Sequence, residues 1–163
     1  MSGLFDLSGK RVIVTGSTRG IGRAIAEGMI AAGGRVMISS ENAADTAREA
    51  AEMRQPGLCC DVADDDALAA LVTGTLDAFG GIDVLVCNAG ITGAHGPFAS
   101  IDMDDYARVM AINLRSQVVL ANLALPHISK GENGSVILIS SLSALRGNGA
   151  INAYALAKAG VSQ

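Results

Sequence analysis

Arg11-Val-Ile-Val-Thr15-Gly16-Ser17-Thr18-Arg19-Gly20-Ile21-Gly22 is the stretch on which the reading of this chain turns. Its first five residues form a short β-branched run that ends at glycine, the pattern of a strand buried on both faces of a parallel sheet. From Gly20 to about Gly33 the apolar residues Ile21, Ile25, Met29 and Ile30 recur at helical spacing, and Gly33-Gly34 stops the helix. Glycine between strand and helix permits a tight turn and a close approach of the backbone to a pyrophosphate, to which the helix N-terminus offers free N–H groups. The spacing is GxxxGxG rather than GxGxxG, so the turn alone does not settle the ligand.

The alternation continues down the chain. Arg35 to Ser39 reads as a second strand, about Ala43 to Arg54 as an Ala-rich helix, and Pro56-Gly57 breaks it. Leu58 to Asp61 is a brief third strand, and Asp64 to Phe79 a helix with acidic residues in its first turn, as the helix dipole favours. Ile82 to Cys87 is the fourth strand. A glycine-containing loop leads to about Asp102 and then a long helix toward His127, bounded by Pro126 and Gly131. Ser135 to Ile139 is the fifth strand. A loop from Leu142 to Ile151 contains Gly147 and Gly149, and a last helix begins near Asn152 or Ala153. Five alternations predict an α/β fold, a parallel sheet with helices on both faces, as one domain over residues 1–163. Such sheets bind ligands beyond the carboxyl ends of their strands. Polar and glycine residues collect at all five ends: Thr15-Gly16, Ser39-Ser40-Glu41, Asp61, Asn88-Ala89-Gly90 and Ser140-Ser141.

Composition narrows the function. Half of the 163 residues are apolar, which excludes intrinsic disorder and leaves enough material for one core. The net charge is −4 and the basic residues are scattered, so no nucleic-acid partner is expected. Apolar runs such as Val136-Ile137-Leu138-Ile139 fall far short of the roughly 20 residues of a membrane span. Asp6 interrupts any apolar leader, and a cytoplasmic location is expected. Cys59, Cys60 and Cys87 lack CxxC spacing and read as reduced small hydrophobes, while His95 and His127 stand apart from any acidic or Cys cluster. No metal is expected.

Tyr154-Ala-Leu-Ala-Lys158 is the second informative stretch. Positions i and i+4 share a helix face, so the phenol and the ammonium lie side by side. A cation beside a phenol makes it a stronger acid, so such a pair can exchange protons nearer neutral pH. A surface i,i+4 contact is the plain alternative.

Taken together these residues resemble the short-chain dehydrogenase/reductase family, from about residue 5 to the last. Thr15 to Gly22 matches its TGxxxGxG turn, Asp61-Val62 its acidic residue and neighbour beside the adenine, and Asn88-Ala89-Gly90 its NAG motif. Asn113 falls at its catalytic asparagine, and Ser141 stands thirteen residues before Tyr154, the family's serine spacing. The resemblance implies a Rossmann-type doubly wound sheet and an oxidoreductase that interconverts an alcohol and a ketone or aldehyde with NAD or NADP. It implies that Tyr154 is the general acid/base, that Lys158 lowers its pKa and holds the nicotinamide ribose, and that Ser141 hydrogen-bonds the substrate oxygen. Asn113 would place a water linking Lys158 to solvent and kink its helix; Ser140 is the rival for the serine role. The cofactor would lie on Gly16, Ser17, Thr18, Arg19, Gly20, Ile21 and Gly22, and on Ser40, Glu41, Asp61, Val62, Asn88, Ala89, Gly90, Tyr154 and Lys158. Ser40 stands where the family has its usual Asp. Glu41 beside it favours NAD, whereas Arg19 could pair with the 2′-phosphate of NADP. The expected partners are a small alcohol or carbonyl substrate and further copies of the chain, as a dimer or tetramer packed through Val118, Val119, Leu123 and Ala159.

The departure from the family lies at the end, where Gln163 follows Lys158 by five residues. The family continues for on the order of 60–90 residues, two strands and their helices. The domain is therefore expected to be incomplete at its C-terminus, a piece of a longer product or a truncated form that needs a partner, with the fifth strand as an unprotected edge. Two other readings stay open from the sequence: a nucleotide-binding module without catalysis, and a methyltransferase, which also uses a glycine turn but has no need of Tyr154 and Lys158.

Overall fold

Four strands form a parallel sheet: β1 (Arg11–Thr15), β2 (Arg35–Ser39), β3 (Val84–Cys87) and β4 (Ser135–Leu138), in the order β2-β1-β3-β4. The computed structural model describes residues 5–128, 130, 133–146 and 150–163, so Gly131, Gly147 and Gly149 lie outside the described residues. Among the described residues six α-helices accompany the strands: α1 (Gly20–Ala31), α2 (Ala43–Met53), α3 (Asp65–Phe79), α4 (Met103–Met110), α5 (Ser116–Ile128) and α6 (Asn152–Ser162).

Alternation along the strands explains why the apolar runs are continuous. Ile13, Met37, Leu85 and Cys87 point to one face and pack with Leu68, Leu71 and Val72 of α3 and Leu120 and Ala124 of α5. Val12, Val14, Val36, Ile38, Val84 and Val86 point to the other and pack with Ile25 and Met29 of α1 and Ala50 of α2. With both faces covered, every side chain of the central strands is apolar or satisfied. β4 pairs with β3 alone and leaves Ile137 and Leu138 40% and 42% exposed, the open edge that the sequence predicts.

Two expectations need correction. Leu58 to Asp61 does not form a full third strand. The chain runs beside β2, with Ile38 N–H donating to Pro56 O, Leu58 N–H to Ile38 O and Cys60 N–H to Ser40 O, but a single bridge forms, between Ile38 and Gly57. At Ser40 the chain turns toward α2: the Ser40 hydroxyl lies 3.0 Å from that of Thr46, and the ladder stops there. The long helix is also not uniform. A π-helical turn, Ala111–Arg115, joins α4 to α5, and Pro126 lies inside α5 rather than bounding it. A proline removes one N–H, and this close to the helix end that loss does not outweigh burial of Ile128 in the core. The stretch Met103–Ile128 is 26 residues and apolar enough, by length and composition, to cross a membrane. Here one side of it packs on the sheet through Leu120, Ala124 and Ile128. Val119 and Leu123 also pack against that core, whereas Val118 is exposed.

The amino-terminal edge of the sheet is held by one ion pair. Arg11 donates its backbone N–H and Nε to Asp83 Oδ2, at 2.8 and 2.7 Å, and Nη2 to Oδ1 at 2.8 Å. Asp83 N–H returns a bond to Arg11 O, and Ser135 N–H donates to Asp83 O, so one residue sets the register of β1, β3 and β4. Asp83 is nearly buried, and the Arg11 guanidinium holds its carboxyl below the usual carboxylate range. Because the folded pKa is depressed, this stabilisation is present above the unfolded value of about 3.9 and is lost as pH falls through the folded value. Asp83→Asn should therefore lower the unfolding free energy at pH 7 by about 2 kcal/mol. It should also flatten the loss of stability below about pH 4, both measured by urea titration at several pH values.

Candidate active site

The carboxyl ends of the strands open into one cavity of about 750 Å³. Its floor is a knot between β1 and β3. Thr15 Oγ1 accepts the N–H groups of Asn88 and Ala89 at 3.0 and 3.1 Å, and Asn88 Nδ2 donates to Thr15 O and Gly16 O at 3.0 and 3.2 Å. Gly16 turns the chain with φ +64°. A Cβ on Gly22 would collide with the Gly16 carbonyl and the Asn88 amide, so glycine there is what lets α1 start directly above the turn.

The amino end of α1 is chemically different from those of α2, α3 and α4. Asn42, Asp64 and Asp102 each cap their helix by accepting backbone N–H groups. Arg19, at the same position before α1, makes no side-chain cap, and no acidic residue lies in the first turn. Its N–H groups face the cavity through Gly20, Ile21 and Gly22, an arrangement suited to an anion.

Most residues singled out from the sequence meet in this cavity. Gly16, Thr18, Arg19, Gly20, Ile21, Gly22, Ser40, Glu41, Asp61, Val62, Asn88, Ala89, Gly90, Tyr154 and Lys158 all line it. Ser17 does not. It is fully buried, and its hydroxyl accepts Ser39 N–H at 2.8 Å, tying the turn to β2. Ser40 lends its hydroxyl to Thr46 and Asn42, whereas Glu41 reaches Arg19 across the mouth, Nη2 to Oε1, at 3.5 Å. Both side chains of that pair are exposed, so their attraction is weak.

At the other side, α6 brings Tyr154 and Lys158 to the wall. Lys158 is 3% exposed; its Nζ donates to Ile139 O at 2.5 Å and lies 5.8 Å from the centre of the Tyr154 ring. Burial pushes the ammonium pKa down. The neighbouring Cys87 thiol is pushed up to about 12 by its own burial, so at neutral pH it is a neutral group and not a counter-ion.

Asn113 and Ser141 lie outside the cavity lining. Asn113 is fully buried in the π-helical turn, with Oδ1 accepting Ile91 N–H at 2.8 Å and Nδ2 donating to Ile91 O at 2.6 Å. It braces the backbone just after Gly90, where a Cβ would meet its Oδ1 at 2.8 Å. Ser141 Oγ accepts Ser143 N–H at 3.1 Å, while Ser140 does line the cavity and bonds Lys158 O at 3.0 Å and Ser162 Oγ at 2.7 Å. Sequence reasoning passed over Ile91, Thr92, Arg108, Ile112 and Ile139, which also line it. Arg108 and Ile112 stand five and one residues before Asn113, off its helix face, so no local spacing in the sequence singles them out.

Comparison with known proteins agrees with this geometry. Residues 10–163 match the short chain dehydrogenase family. An uncharacterised short-chain type dehydrogenase/reductase of Sinorhizobium fredii is 38% identical over 95% of the chain and 65% of its own length. The 2-dehydro-3-deoxy-L-rhamnonate dehydrogenase (NAD(+)) of a Sphingomonas species is 34% identical over 94% of the chain and 62% of its own length. The crystal structure of a dehydrogenase/reductase from Sinorhizobium meliloti superposes with a TM-score of 0.90 at 32% identity, covering 97% of this chain and 64% of that one. The chain thus spans somewhat under two thirds of the length of these relatives. A match over nearly every residue from β1 to α6, on the same parallel sheet, sets the methyltransferase reading aside: the chain belongs to the short-chain dehydrogenase/reductase family.

Proposed function

We propose that the chain is the dinucleotide-binding part of an oxidoreductase that interconverts an alcohol and a ketone or aldehyde with NAD(P). The observation that carries this reading is the meeting, in one cavity, of the uncapped amino end of α1 with the Tyr154 and Lys158 pair of α6. The residues fit such a cofactor. The turn from Gly16 to Gly22 takes the pyrophosphate, Glu41 the adenosine ribose, Asp61 and Val62 the adenine edge, and Asn88 to Gly90 the middle of the molecule. When bound, the nicotinamide supplies or accepts the hydride.

The chain's own part is orientation and proton transfer. Tyr154 Oη gives the proton to the substrate oxygen in reduction and takes it back in oxidation. Lys158, fixed by the Ile139 carbonyl, keeps positive charge beside the phenol and meets the nicotinamide ribose. Ser141, next to the cavity-lining Ser140, accepts Ser143 N–H with one lone pair and keeps its hydroxyl proton for the substrate oxygen. Asn113 holds the Ile91 backbone and turns its helix so that the wall beside Gly90 is rigid. Glu41 favours NAD, because its carboxylate binds ribose hydroxyls and repels a 2′-phosphate, and it stands 3.5 Å from Arg19, the cation that would otherwise attract one.

In the whole enzyme, Tyr154→Phe should cut turnover by about a thousandfold and change the Kd for NADH by less than about twofold, measured by steady-state rates and fluorescence titration. Equal rates for parent and variant would end the proton-donor assignment. Gly22→Ala should weaken ADP-ribose binding more than tenfold, since α1 must move off the turn, with a stability loss of about 1–3 kcal/mol. Glu41→Gln frees Arg19, and the affinity for NADPH relative to NADH should rise about tenfold. An unchanged ratio would mean that Glu41 does not set the preference.

A further inference from the structure

We infer that Arg108 is an adenine-contacting residue of the dinucleotide site, its guanidinium lying against the base over the apolar wall made by Val62 and Ile112; the inference rests on the nucleotide reading above. Among the described residues three cationic side chains line the cavity: Arg19, Arg108 and Lys158. Arg19 is paired with Glu41, and Lys158 is held by Ile139 O. No carboxylate or hydrogen-bond partner among the described residues engages the Arg108 side chain, although it is exposed at the mouth. A free cation in a cavity that receives a polyanionic cofactor calls for an account.

Its position supplies one. Arg108 stands four residues before Ile112, about one turn along the helix as it enters the π-helical turn, and the two share a side of it. Ile112 packs against the cluster that contains Val62, three residues before Asp65. One turn before Ile112, Arg108 therefore rises on the cavity wall that Ile112 and Val62 also line. Val109, the adjoining residue, packs with Ala153 and Ala157 of α6, as Tyr106 and Met110 do at the cluster's margin. The phosphate-binding end has its own donors in the N–H groups of α1. What remains at the Val62–Ile112 wall is an apolar surface topped by a planar, weakly hydrated cation, which suits the face of an aromatic base better than a phosphate.

The test uses isothermal titration of the 163-residue chain with ADP-ribose, and fluorescence titration with NADH. Arg108→Ala should raise the ADP-ribose Kd about tenfold, with no change in thermal midpoint because the side chain is exposed. Arg108→Lys should recover little, since an ammonium has no plane to stack. The loss should persist between about 0.05 and 0.5 M salt, and the emission maximum of bound NADH should stay where it is in the parent. An unchanged Kd for Arg108→Ala overturns the inference. So does full recovery by Arg108→Lys with a loss that vanishes in high salt, which would assign Arg108 to a phosphate. A shifted NADH emission would place it beside the nicotinamide and overturn it too. If the parent chain itself fails to bind ADP-ribose, the nucleotide reading falls first and the inference with it.

Discussion

The mutual grip of Thr15 and Asn88 is the constraint on which the site depends. Four hydrogen bonds, two of them directly between Thr15 and Asn88 and the others from Asn88 to Gly16 and from Ala89 to Thr15, join segments more than seventy positions apart at the carboxyl ends of adjacent strands. Each such bond contributes a net stabilisation of only about 1 kcal/mol, but leaving any one of these groups buried and unpaired would cost more. The grip fixes the height of β1 against β3, and Gly22 then seats α1 directly on the knot. Everything that makes the cavity suited to an anion follows: a turn with no side chains in the way, and a helix end whose N–H groups have no internal acceptor.

The opposite wall is built on a defect. A π-helical turn widens the helix by one residue, and side chains four positions further on take up carbonyls in it. Ser116 Oγ donates to Ile112 O at 2.6 Å and Gln117 Nε2 to Asn113 O at 2.9 Å. The defect aims the Asn113 carboxamide inward at both polar groups of Ile91, and the Arg115–Asp65 pair fastens the same segment to α3. Such turns cost regular hydrogen bonds and persist where the geometry they create is used. Here that geometry holds the strand-end loop after Gly90 against the cavity.

Lys158 is the third element and the one under most electrostatic tension. An ammonium this buried loses hydration, which burial registers as a lowered pKa, and a backbone carbonyl is its nearest compensation. Cys87 cannot supply the missing charge because its own burial keeps it protonated.

The order of elements and most of the cavity lining were legible from the chain. β-branched runs, glycine turns and the i,i+4 spacing of Tyr154 and Lys158 are local patterns, and local sterics decide them. The short run after Pro56-Gly57 misled, because a strand needs a partner for its whole length and Ser40 turns away after one bridge. Spacing could not show that Ser140 lines the cavity while Ser141 stands just outside the lining and Ser17 is buried. Periodicity assigned Asn113 to a helix without revealing that the helix opens into a wider turn there. The sequence by itself determined where strands, turns and helices lie and which chemical groups stand at the strand ends. Tertiary structure alone decided that Arg19 meets Glu41, that Arg108 and Ile112 join the wall, and that Lys158 is buried, because those outcomes are distances between residues that only packing brings together.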